Sequence, residues 1–407
     1  MVLPVKRLQR LGAVALSLGL LIALGGCGGC SRRAERGPKV FTLGAIFSLT
    51  GASLIGPPQA NGARLAVAQI NAAGGVDGVP IRLLISDSGS SPARAGAQMR
   101  NLILGSHAIA VLGPSLSESA LVVDRVANRL RTPVLAVSNV GDGIVGRCAQ
   151  PCEWTWRDSL SARATVPANV EAYMASERPT AVGIVNTEKD VLAAQQARLA
   201  ARSFRAAGVR IAARVSFAAN PHAVGPAVAR VRAARPSALF VASSAGRILA
   251  EIIRQARAQG FRGAILGGNL INSAVTARLA GSAGKGAQGA AAWWAGSDFS
   301  ANRRFVASYR RAYGEMPDQF AAQAYTGVRI LAQALGRAGL ARSALSVERQ
   351  RVKVQSALGD VALTAPLGPF RFSGDHDVEQ IVWIVQLDGR GGSRLVDFCN
   401  PRCGGGT

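Results

Sequence analysis

The sequence predicts an α/β protein made of two doubly wound lobes, each with a mainly parallel sheet between layers of helices. Short apolar runs, typical of buried strands, alternate along the chain with longer segments whose apolar residues recur at helical spacing. This alternation implies parallel strands joined by right-handed crossovers. It occurs twice, because one set of segments ends near residue 157 and a second begins at residue 181. The 407 residues are enough for two domains.

The first set opens with a strand over residues 41–47, which ends in a polar loop of serine, threonine and glycine over residues 48–53. A helix follows, since Ala63, Val67 and Ile70 recur at helical spacing. Two glycines after it fit a left-handed helix end, which glycine adopts without a Cβ penalty. The polar loop is a candidate ligand contact, because open α/β sheets bind ligands at the carboxyl ends of their strands.

The other elements follow in the same alternation. In the first set the sequence predicts strands over 79–87, 108–113, 133–137 and 154–157, and helices over 93–104 and 120–131. The last of these strands would leave the first lobe. In the second set it predicts strands over 181–185, 210–217, 238–242 and 264–267, and helices over 193–207, 224–234 and 246–259.

The amino terminus has the pattern of a bacterial lipoprotein signal peptide over residues 1–26. A basic segment precedes an apolar run that is too short to span a membrane comfortably. Leu24-Gly-Gly-Cys27 looks like the site where such peptides are cut and the cysteine is acylated, and Cys30 is an alternative site. Residues 27–38 would then form a lipidated tether. We expect a membrane-anchored lipoprotein of the cell envelope that faces the periplasm or the exterior.

The chain is strongly basic, with a formal net charge of +24 at pH 7. Basic patches are typical of nucleic-acid-binding proteins, and a basic protein also binds anionic lipid. Here, however, the arginines are scattered along predicted helices between alanines, and no aromatic residues are interleaved with them to stack on bases. We therefore expect no nucleic-acid partner. A GC-rich coding bias explains the charge, with surface association as the alternative.

Cysteine use agrees with export to an oxidising compartment. Cys148 and Cys152 lie four positions apart around a proline, and Cys399 and Cys403 repeat that spacing near the carboxyl terminus. Each pair could close a small disulfide loop, or the four could hold one zinc ion, although no histidine lies beside them. We expect two local disulfides, no metal and no cofactor. Neither a Gly-x-Ser-x-Gly elbow nor a Gly-x-x-x-x-Gly-Lys phosphate loop occurs in the sequence, which argues against an enzyme.

Four segments, in order, resemble the branched-chain amino-acid (leucine, isoleucine and valine) binding family of type I periplasmic binding proteins of ABC transporters. They are Gly44-Ala-Ile-Phe-Ser-Leu-Thr-Gly51 with the helix after it, Gly113 with its serine loop, the helix end at residues 253–260, and Gly368-Pro-Phe-Arg-Phe-Ser-Gly374. The last resembles a glycine–aromatic–aspartate turn of the family. Together the segments extend from residue 40 to about residue 390.

The resemblance implies two lobes joined by three crossover strands, with a ligand bound between them and closure by hinge bending. Lobe one would comprise residues 39–157 and 296–366, lobe two residues 158–290 and 370–400, and the hinge crossovers residues 291–295 and 367–369. Trp293 and Trp294 lie at the second crossover, where they could stack on a ligand or pack as hinge core.

The function that the resemblance implies is that of a monomeric, non-enzymatic solute-binding lipoprotein. It would capture a small polar solute, either an amino acid or a related amide or carboxylate, and deliver it to the membrane subunits of an ABC permease. The alternative is a ligand-sensing or structural lipoprotein of the envelope that keeps the fold but not transport.

The serines after Gly113 correspond to the family's carboxylate-binding loop. In the family, backbone amides, hydroxyls and a helix N-terminus hold the ligand's α-carboxylate, since exposed N–H groups and the helix dipole favour an anion. Ser115 and Ser117 match that loop. Ser117 is the best candidate for a direct contact, with a helix N-cap as its alternative role. Ser53, in the first polar loop, would line the same side of the cleft.

Ser138, Asn139 and Asp142 match the family's second amino-acid-binding loop, while Ser243 and Asn269 match strand-end loops of lobe two. Neutral Asn269 stands where the family usually has an acid that neutralises the ligand's ammonium group. A buried ammonium group without a partner is costly, so either Asp142 replaces that acid or the ligand is not an α-amino acid. We therefore predict that branched-chain amino acids bind poorly.

Overall fold

The computed structural model describes residues 40–146, 148 and 152–399. The predicted signal peptide, the candidate acylation sites Cys27 and Cys30, the tether and Cys403 lie outside the described residues. Within the described ranges, no helix combines the length and hydrophobicity that a membrane span requires.

Strands and helices alternate through most of the described chain. The strands are β1 (Phe41–Phe47), β2 (Ile81–Asp87), β3 (Ala110–Leu112), β4 (Val134–Ala136), β5 (Thr155–Arg157), β6 (Ala181–Thr187), β7 (Arg210–Phe217), β8 (Ala238–Ala242), β9 (Ala264–Gly267), β10 (Gln288–Ala291), β11 (Ala362–Ala365), β12 (Gly368–Phe372), β13 (Val378–Glu379), β14 (Val382–Leu387) and β15 (Ser393–Cys399). The α-helices are α1 (Gly56–Ala72), α2 (Pro92–Arg100), α3 (Ser117–Arg129), α4 (Ala162–Ser176), α5 (Val191–Ala206), α6 (Pro221–Ala233), α7 (Gly246–Ala258), α8 (Ala274–Ala280), α9 (Ser300–Tyr313), α10 (Gln319–Arg337) and α11 (Val347–Leu358).

The first sheet has the strand order β2-β1-β3-β4-β5, and every neighbouring pair is parallel. β1 is buried along its whole length, which explains its continuous apolar sequence. α1 and α10 pack together over one face of the sheet, and α2 and α3 cover the other. The predicted doubly wound arrangement is confirmed. β5 belongs to this sheet as well, so the chain leaves the first lobe only after Arg157.

The second sheet has the order β15-β14-β10-β9-β8-β6-β7. The strands from β6 to β10 are parallel, while β14 pairs antiparallel with β10 and β15 antiparallel with β14. α4 and α5 cover one face, and α6 and α7 cover the other. The carboxyl ends of the parallel strands in each sheet therefore carry the loops from which a site can be built.

A small antiparallel sheet of β11, β12 and β13 joins the core of the first lobe. Phe370 and Phe372 are buried in the same apolar cluster as Trp156, and the Trp156 ring stacks on His376 with centroids 3.7 Å apart. This corrects the expected start of lobe two at residue 370. Residues 370–379 stay with lobe one, because alternate side chains of β12 are buried there, and β14 is the next strand to join the second sheet.

The third crossing between the lobes consequently lies at residues 380–381, between β13 and β14, rather than at the expected residues 367–369. Gln380 is buried at this point, and its side-chain amide donates a hydrogen bond of 3.2 Å to the carbonyl oxygen of Asp158 in the first crossing. The two crossings are therefore in direct contact.

An ion pair reinforces the same contact. Arg157, at the end of β5, donates from Nε to Asp377 Oδ1 at 2.8 Å. Arg157 is 4% exposed, and its Nη1 also donates to the carbonyl oxygens of Asn139 at 3.4 Å and Gly141 at 3.1 Å. One guanidinium thus fixes the loop after β4, the first crossing and the segment before the third crossing.

Candidate functional site

A cavity of about 50 Å³ lies between the two lobes, where the strand ends of both sheets face each other. The first lobe contributes the loops after β1, β3 and β4 and the start of α10. The second contributes the start of α5 and the loops after β8 and β9. The lining residues are Ser53, Ile55, Ser115, Leu116, Ser117, Glu118, Ser138, Leu192, Ser243, Ser244, Asn269, Leu270 and Phe320.

Six of the residues singled out in the sequence line this cavity, namely Ser53, Ser115, Ser117, Ser138, Ser243 and Asn269. The structure does not place Asn139 or Asp142 there. Asn139 is buried beside the first crossing, where its carbonyl oxygen accepts a hydrogen bond of 3.0 Å from Ser159 Oγ. Because Asn139 is held beside the first crossing, it does not line the cavity.

Asp142 faces away from the cavity and is paired with Arg163 in the first turn of α4. The two hydrogen bonds of this pair are 2.7 Å from Nε and 2.8 Å from Nη2. Both side chains are largely exposed, so the pair lies in a surface groove and not in the cavity. Asp142 therefore does not line the cavity, and Arg163 already neutralises it, which argues against its replacing the family's ammonium-binding acid.

Two of the lining serines have their single proton engaged within the protein. Ser115 Oγ accepts from the Ser48 N–H at 2.9 Å and donates to Gln59 Oε1. Gln59 Nε2 donates to Ser138 Oγ at 2.8 Å, and Ser138 Oγ donates to the Ser115 carbonyl oxygen at 2.7 Å. Since a hydroxyl has one proton to give, Ser115 and Ser138 fix the positions of the loops and are not free to donate to a ligand. Gln59 was not predicted as a site residue, because its only signal in the sequence is a polar residue on the apolar face of α1.

Other lining hydroxyls keep a proton for a ligand. Ser117 Oγ accepts from the Gly141 N–H at 3.2 Å, and Ser243 Oγ accepts from the Ala245 N–H at 3.1 Å. Neither of these bonds uses the hydroxyl proton. Ser53 is 2% exposed, and its hydroxyl has no hydrogen-bond partner among the described residues.

The start of α3 faces the cavity without a side-chain cap. Leu116 occupies the N-cap position with extended backbone, and its side chain cannot accept a hydrogen bond. The helix begins three residues earlier than predicted, so Ser117 is the first helical residue and not the N-cap. The first N–H groups of a helix have no partner within it, and they carry the positive end of its dipole. This end of α3 suits an anion.

Glu118 is the only acidic residue in the lining, and it is already engaged across the cleft. Its carboxylate accepts a hydrogen bond from the Val191 N–H at the start of α5, and burial followed by repulsion from Asp190 raises its pKa. Asp190 itself caps α5 through the Ala193 N–H at 2.9 Å and accepts from Ser244 Oγ at 2.7 Å. These contacts leave no carboxylate that is dedicated to a ligand's ammonium group.

The remaining walls are apolar. They are formed by Ile55, Leu116, Leu192, Leu270 and Phe320. Trp293 and Trp294 do not contribute, since Trp293 is buried and donates from Nε1 to Asn302 Oδ1 at 2.7 Å, and Trp294 donates to the Ser393 carbonyl oxygen at 3.3 Å. Both tryptophans pack as hinge core.

A second bridge between the lobes is made by Asp318, the N-cap of α10. Its Oδ1 accepts from the N–H groups of Phe320 and Ala321, both at 3.0 Å, and its Oδ2 accepts from the Ala274 N–H of α8 at 3.1 Å. Burial raises the pKa of Asp318 to about 6, while the three backbone amides oppose the shift. The carboxylate is buried and fully hydrogen-bonded, so it holds α10 of lobe one against α8 of lobe two.

Neither a metal centre nor the full set of predicted disulfides follows from the structure. In the part of the chain that is described, no group of three or more His, Cys, Asp or Glu side chains could hold a metal ion. The Sγ atoms of Cys148 and Cys152 lie 2.08 Å apart, which is a disulfide bond length. The other predicted pair includes Cys403, which lies outside the described residues.

Two doubly wound lobes with a cavity between their facing strand ends define a two-lobed ligand-binding protein. Residues 40–393 match the sequence profile described as periplasmic binding protein, and the chain belongs to that family. No curated protein matches the chain.

Solved structures of bacterial solute-binding proteins are similar to this fold. The branched-chain amino-acid transporter substrate-binding protein LivJ from Streptococcus pneumoniae, in complex with isoleucine, is 22% identical, with a TM-score of 0.78 over 89% of this chain and 100% of that chain. A solute-binding protein of an ABC transporter from R. palustris, in complex with benzoate, is 20% identical, with a TM-score of 0.79 over 89% and 97%. The leucine-binding protein LivK from Thermotoga maritima is 18% identical, with a TM-score of 0.78 over 89% and 99%. At these identities the likeness establishes the fold alone.

Proposed function

We propose that this protein captures a small carboxylate with an apolar body in the cavity between its lobes and delivers it to an ABC permease. The start of α3 carries this proposal, because it faces the cavity without a capping side chain. Its N–H groups and the Ser117 hydroxyl suit a carboxylate. Leu270 and Phe320 offer apolar walls to the rest of the solute.

Ser53 supports the same ligand chemistry. A buried hydroxyl without a partner costs free energy, and an acceptor on the ligand removes that cost. The ligands in two of the similar structures, isoleucine and benzoate, share a carboxylate on an apolar body. This shared chemistry matches an uncapped helix end beside apolar walls.

We infer that α-amino acids are poorer ligands than simple carboxylates. Asp142 is neutralised by Arg163 outside the cavity, and Asn269 is neutral. Glu118 already accepts a hydrogen bond from the Val191 N–H and lies close enough to Asp190 for the two carboxylates to repel each other. A buried ammonium group would therefore lie beside no dedicated anion, which is costly.

Calorimetric titration of the mature protein tests this proposal with benzoate, benzamide and leucine. We expect benzoate to bind at least about tenfold more tightly than either of the others, since a charge-assisted hydrogen bond contributes more than a neutral one. Ser117→Ala should weaken benzoate binding by about tenfold. Ser356→Ala on α11, outside the cavity, is the matched control and should leave the affinity unchanged.

Glu118→Gln separates the two ligand classes. If the ligand is a simple carboxylate, removing this negative charge should preserve or increase benzoate affinity. Tight leucine binding that the Glu118→Gln variant abolishes would overturn the proposal, because it would identify Glu118 as the counter-charge of an ammonium group. Failure of every solute to bind would favour the structural alternative without transport.

We also propose that the protein works as a monomer tethered to the membrane through an acylated Cys27. The signal-peptide pattern and the extracytoplasmic family support this anchor. In a bacterial host, Cys27→Ser should move the protein from the membrane fraction to the soluble fraction. Cys30→Ser is the matched control and should stay with the membrane; the reverse result would identify Cys30 as the acylated residue.

A further inference from the structure

A second concavity, of about 420 Å³, lies on the first lobe between α9, α10, the end of α1 and the turn after β11. It shares no lining residue with the cavity between the lobes. Its Arg329 follows Phe320 by nine residues on α10, which corresponds to about 13.5 Å along the helix. The concavity is therefore separate from the proposed solute site.

Three arginines from two helices surround this concavity, and no acidic residue lines it. Arg304 and Arg311 are seven residues apart and so lie on one face of α9, two turns from each other. Arg329 comes from α10, and its guanidinium lies 5.9 Å from the centre of the Tyr325 ring. None of the three arginines has an acidic partner within 4.0 Å among the described residues.

The neutral groups of the concavity add hydrogen-bond donors. The Tyr325 hydroxyl donates to Gln69 Oε1 at 2.6 Å, so this bond uses the amide oxygen of Gln69 and not its amide nitrogen. Gln69 and Ser308 both line the concavity, and their side chains carry N–H and O–H donors. Three guanidinium groups around one concave surface repel each other, and a polyvalent anion between them would reverse that repulsion.

We propose that this concavity, defined by Arg304, Arg311 and Arg329, binds a phosphorylated anion. A guanidinium presents paired N–H donors that match phosphate oxygens, and a concave site with donors on several sides suits a tetrahedral group better than a flat protein surface. The phosphate could belong to a free solute or to the headgroup of an anionic phospholipid. Both sources present the same chemistry to the three arginines.

The test must separate this site from the general positive charge of the chain. The variant R304Q/R311Q/R329Q removes three charges at the concavity. The matched control R198Q/R202Q/R205Q removes three exposed arginines from α5 in the second lobe, so the two variants have the same net charge. All six positions are exposed, and circular dichroism should give both variants the melting temperature of the unchanged protein.

Two kinds of probe, soluble phosphorylated anions and lipid vesicles, distinguish the sources of the phosphate at 150 mM salt. Calorimetry measures binding of pyrophosphate and glycerol phosphate, and flotation measures binding to phosphatidylglycerol vesicles against phosphatidylcholine vesicles. We expect the concavity variant to bind at least one of these phosphate probes about tenfold more weakly, and the control variant to bind it as the unchanged protein does. Loss with the soluble anions identifies a free phosphorylated solute, and loss with the vesicles alone identifies a lipid headgroup. Equal losses in both variants, or no binding to either probe, would overturn the proposal.

Discussion

Single side chains at the cavity differ in whether their hydrogen-bonding capacity is already used. Ser115 donates its hydroxyl proton to Gln59, and Ser138 donates its proton to the Ser115 carbonyl oxygen, whereas Ser117, Ser243 and Ser53 keep a proton. Because all five residues are serines, their sequence positions alone could not separate the two groups. Their hydrogen-bond partners in the folded protein separate them.

Gln59 offers a direct test of the supporting network. Gln59→Leu keeps the size of the side chain but leaves Ser115 and Ser138 without their buried partner. We expect the free energy of unfolding to fall by roughly 1–3 kcal/mol, with weaker benzoate binding because the loops lose their fixed position. Urea denaturation measures the first effect. Gln98→Leu on α2, away from the cavity, is the control; equal losses in both variants would show that the network is unimportant.

Asp124 on α3 predicts how stability depends on pH. It is 2% exposed, and burial raises its pKa from 3.8 to about 8, with the Thr155 hydroxyl opposing the shift. Between these values the folded protein keeps the proton while the unfolded chain loses it. The stability that this group contributes is therefore fully present below about pH 4 and is lost as the pH rises through 8.

Asp124→Asn should remove this dependence. We expect the variant to melt at a higher temperature than the unchanged protein at pH 8, because the amide is neutral without binding a proton, and to lose that advantage at pH 4. Thermal unfolding at both pH values measures it. The exposed Asp360→Asn serves as the control, and an advantage that is the same at both pH values would contradict the assignment.

Among whole elements, the start of α3 connects stability to binding. Leu116 leaves the helix uncapped, so a capping residue there should stabilise the free protein and compete with a ligand carboxylate for the same N–H groups. Leu116→Ser is compared with Leu116→Ala, because both lose the same apolar side chain. We expect the serine variant to be more stable by about 0.5–2 kcal/mol and to bind benzoate more weakly. The reverse order of affinities would mean that the ligand does not use this helix end.

Elements with a continuous apolar sequence were predictable, and elements defined by tertiary packing were not. The bounds of β1, β8 and β9 agree with the prediction, since their short apolar runs end at polar or glycine residues. The bounds of β7 agree as well, although arginines interrupt its apolar residues. α4 was not predicted: its interior Pro167 and its buried Asn169 obscure the helical pattern, and α5 and β10 bury it from two sides. The Arg163 that neutralises Asp142 belongs to this helix, so no sequence pattern indicated that Asp142 has a partner outside the cavity.

The same distinction holds for the site as a whole. Six lining residues follow strand ends in the sequence, and the topology of a parallel sheet brings such loops together. The apolar lining residues Ile55, Leu192 and Phe320 begin or precede helices that pack across the cleft, so no local pattern marks them. The boundary at residue 370 was wrong for a related reason, because the side to which β12 turns its phenylalanines depends on the tertiary core.

For the whole molecule, we expect contacts across the cleft to set the balance between open and closed lobes. Asp318, the N-cap of α10, accepts a hydrogen bond of 3.1 Å from the Ala274 N–H in lobe two. Asp318→Asn keeps a capping oxygen but loses a charge-assisted bond across the cleft. We expect small-angle scattering to show a larger radius of gyration for this variant, and benzoate to restore the compact form by binding it selectively. The exposed Asp360→Asn, which lies outside the cleft, should leave the radius unchanged; an equal expansion in both variants would contradict the role of Asp318.

The contact between the first and third crossings has a mechanical consequence. Three contacts join two of the three connections between the lobes along one side of the molecule. They are the hydrogen bond from Gln380 to Asp158, the ion pair of Arg157 and Asp377, and the stacked rings of Trp156 and His376. Two lobes joined along one side in this way can rotate about that side but cannot separate evenly on all sides. We therefore expect the lobes to rotate about this joined side, and a solute to enter and leave along the edge opposite it.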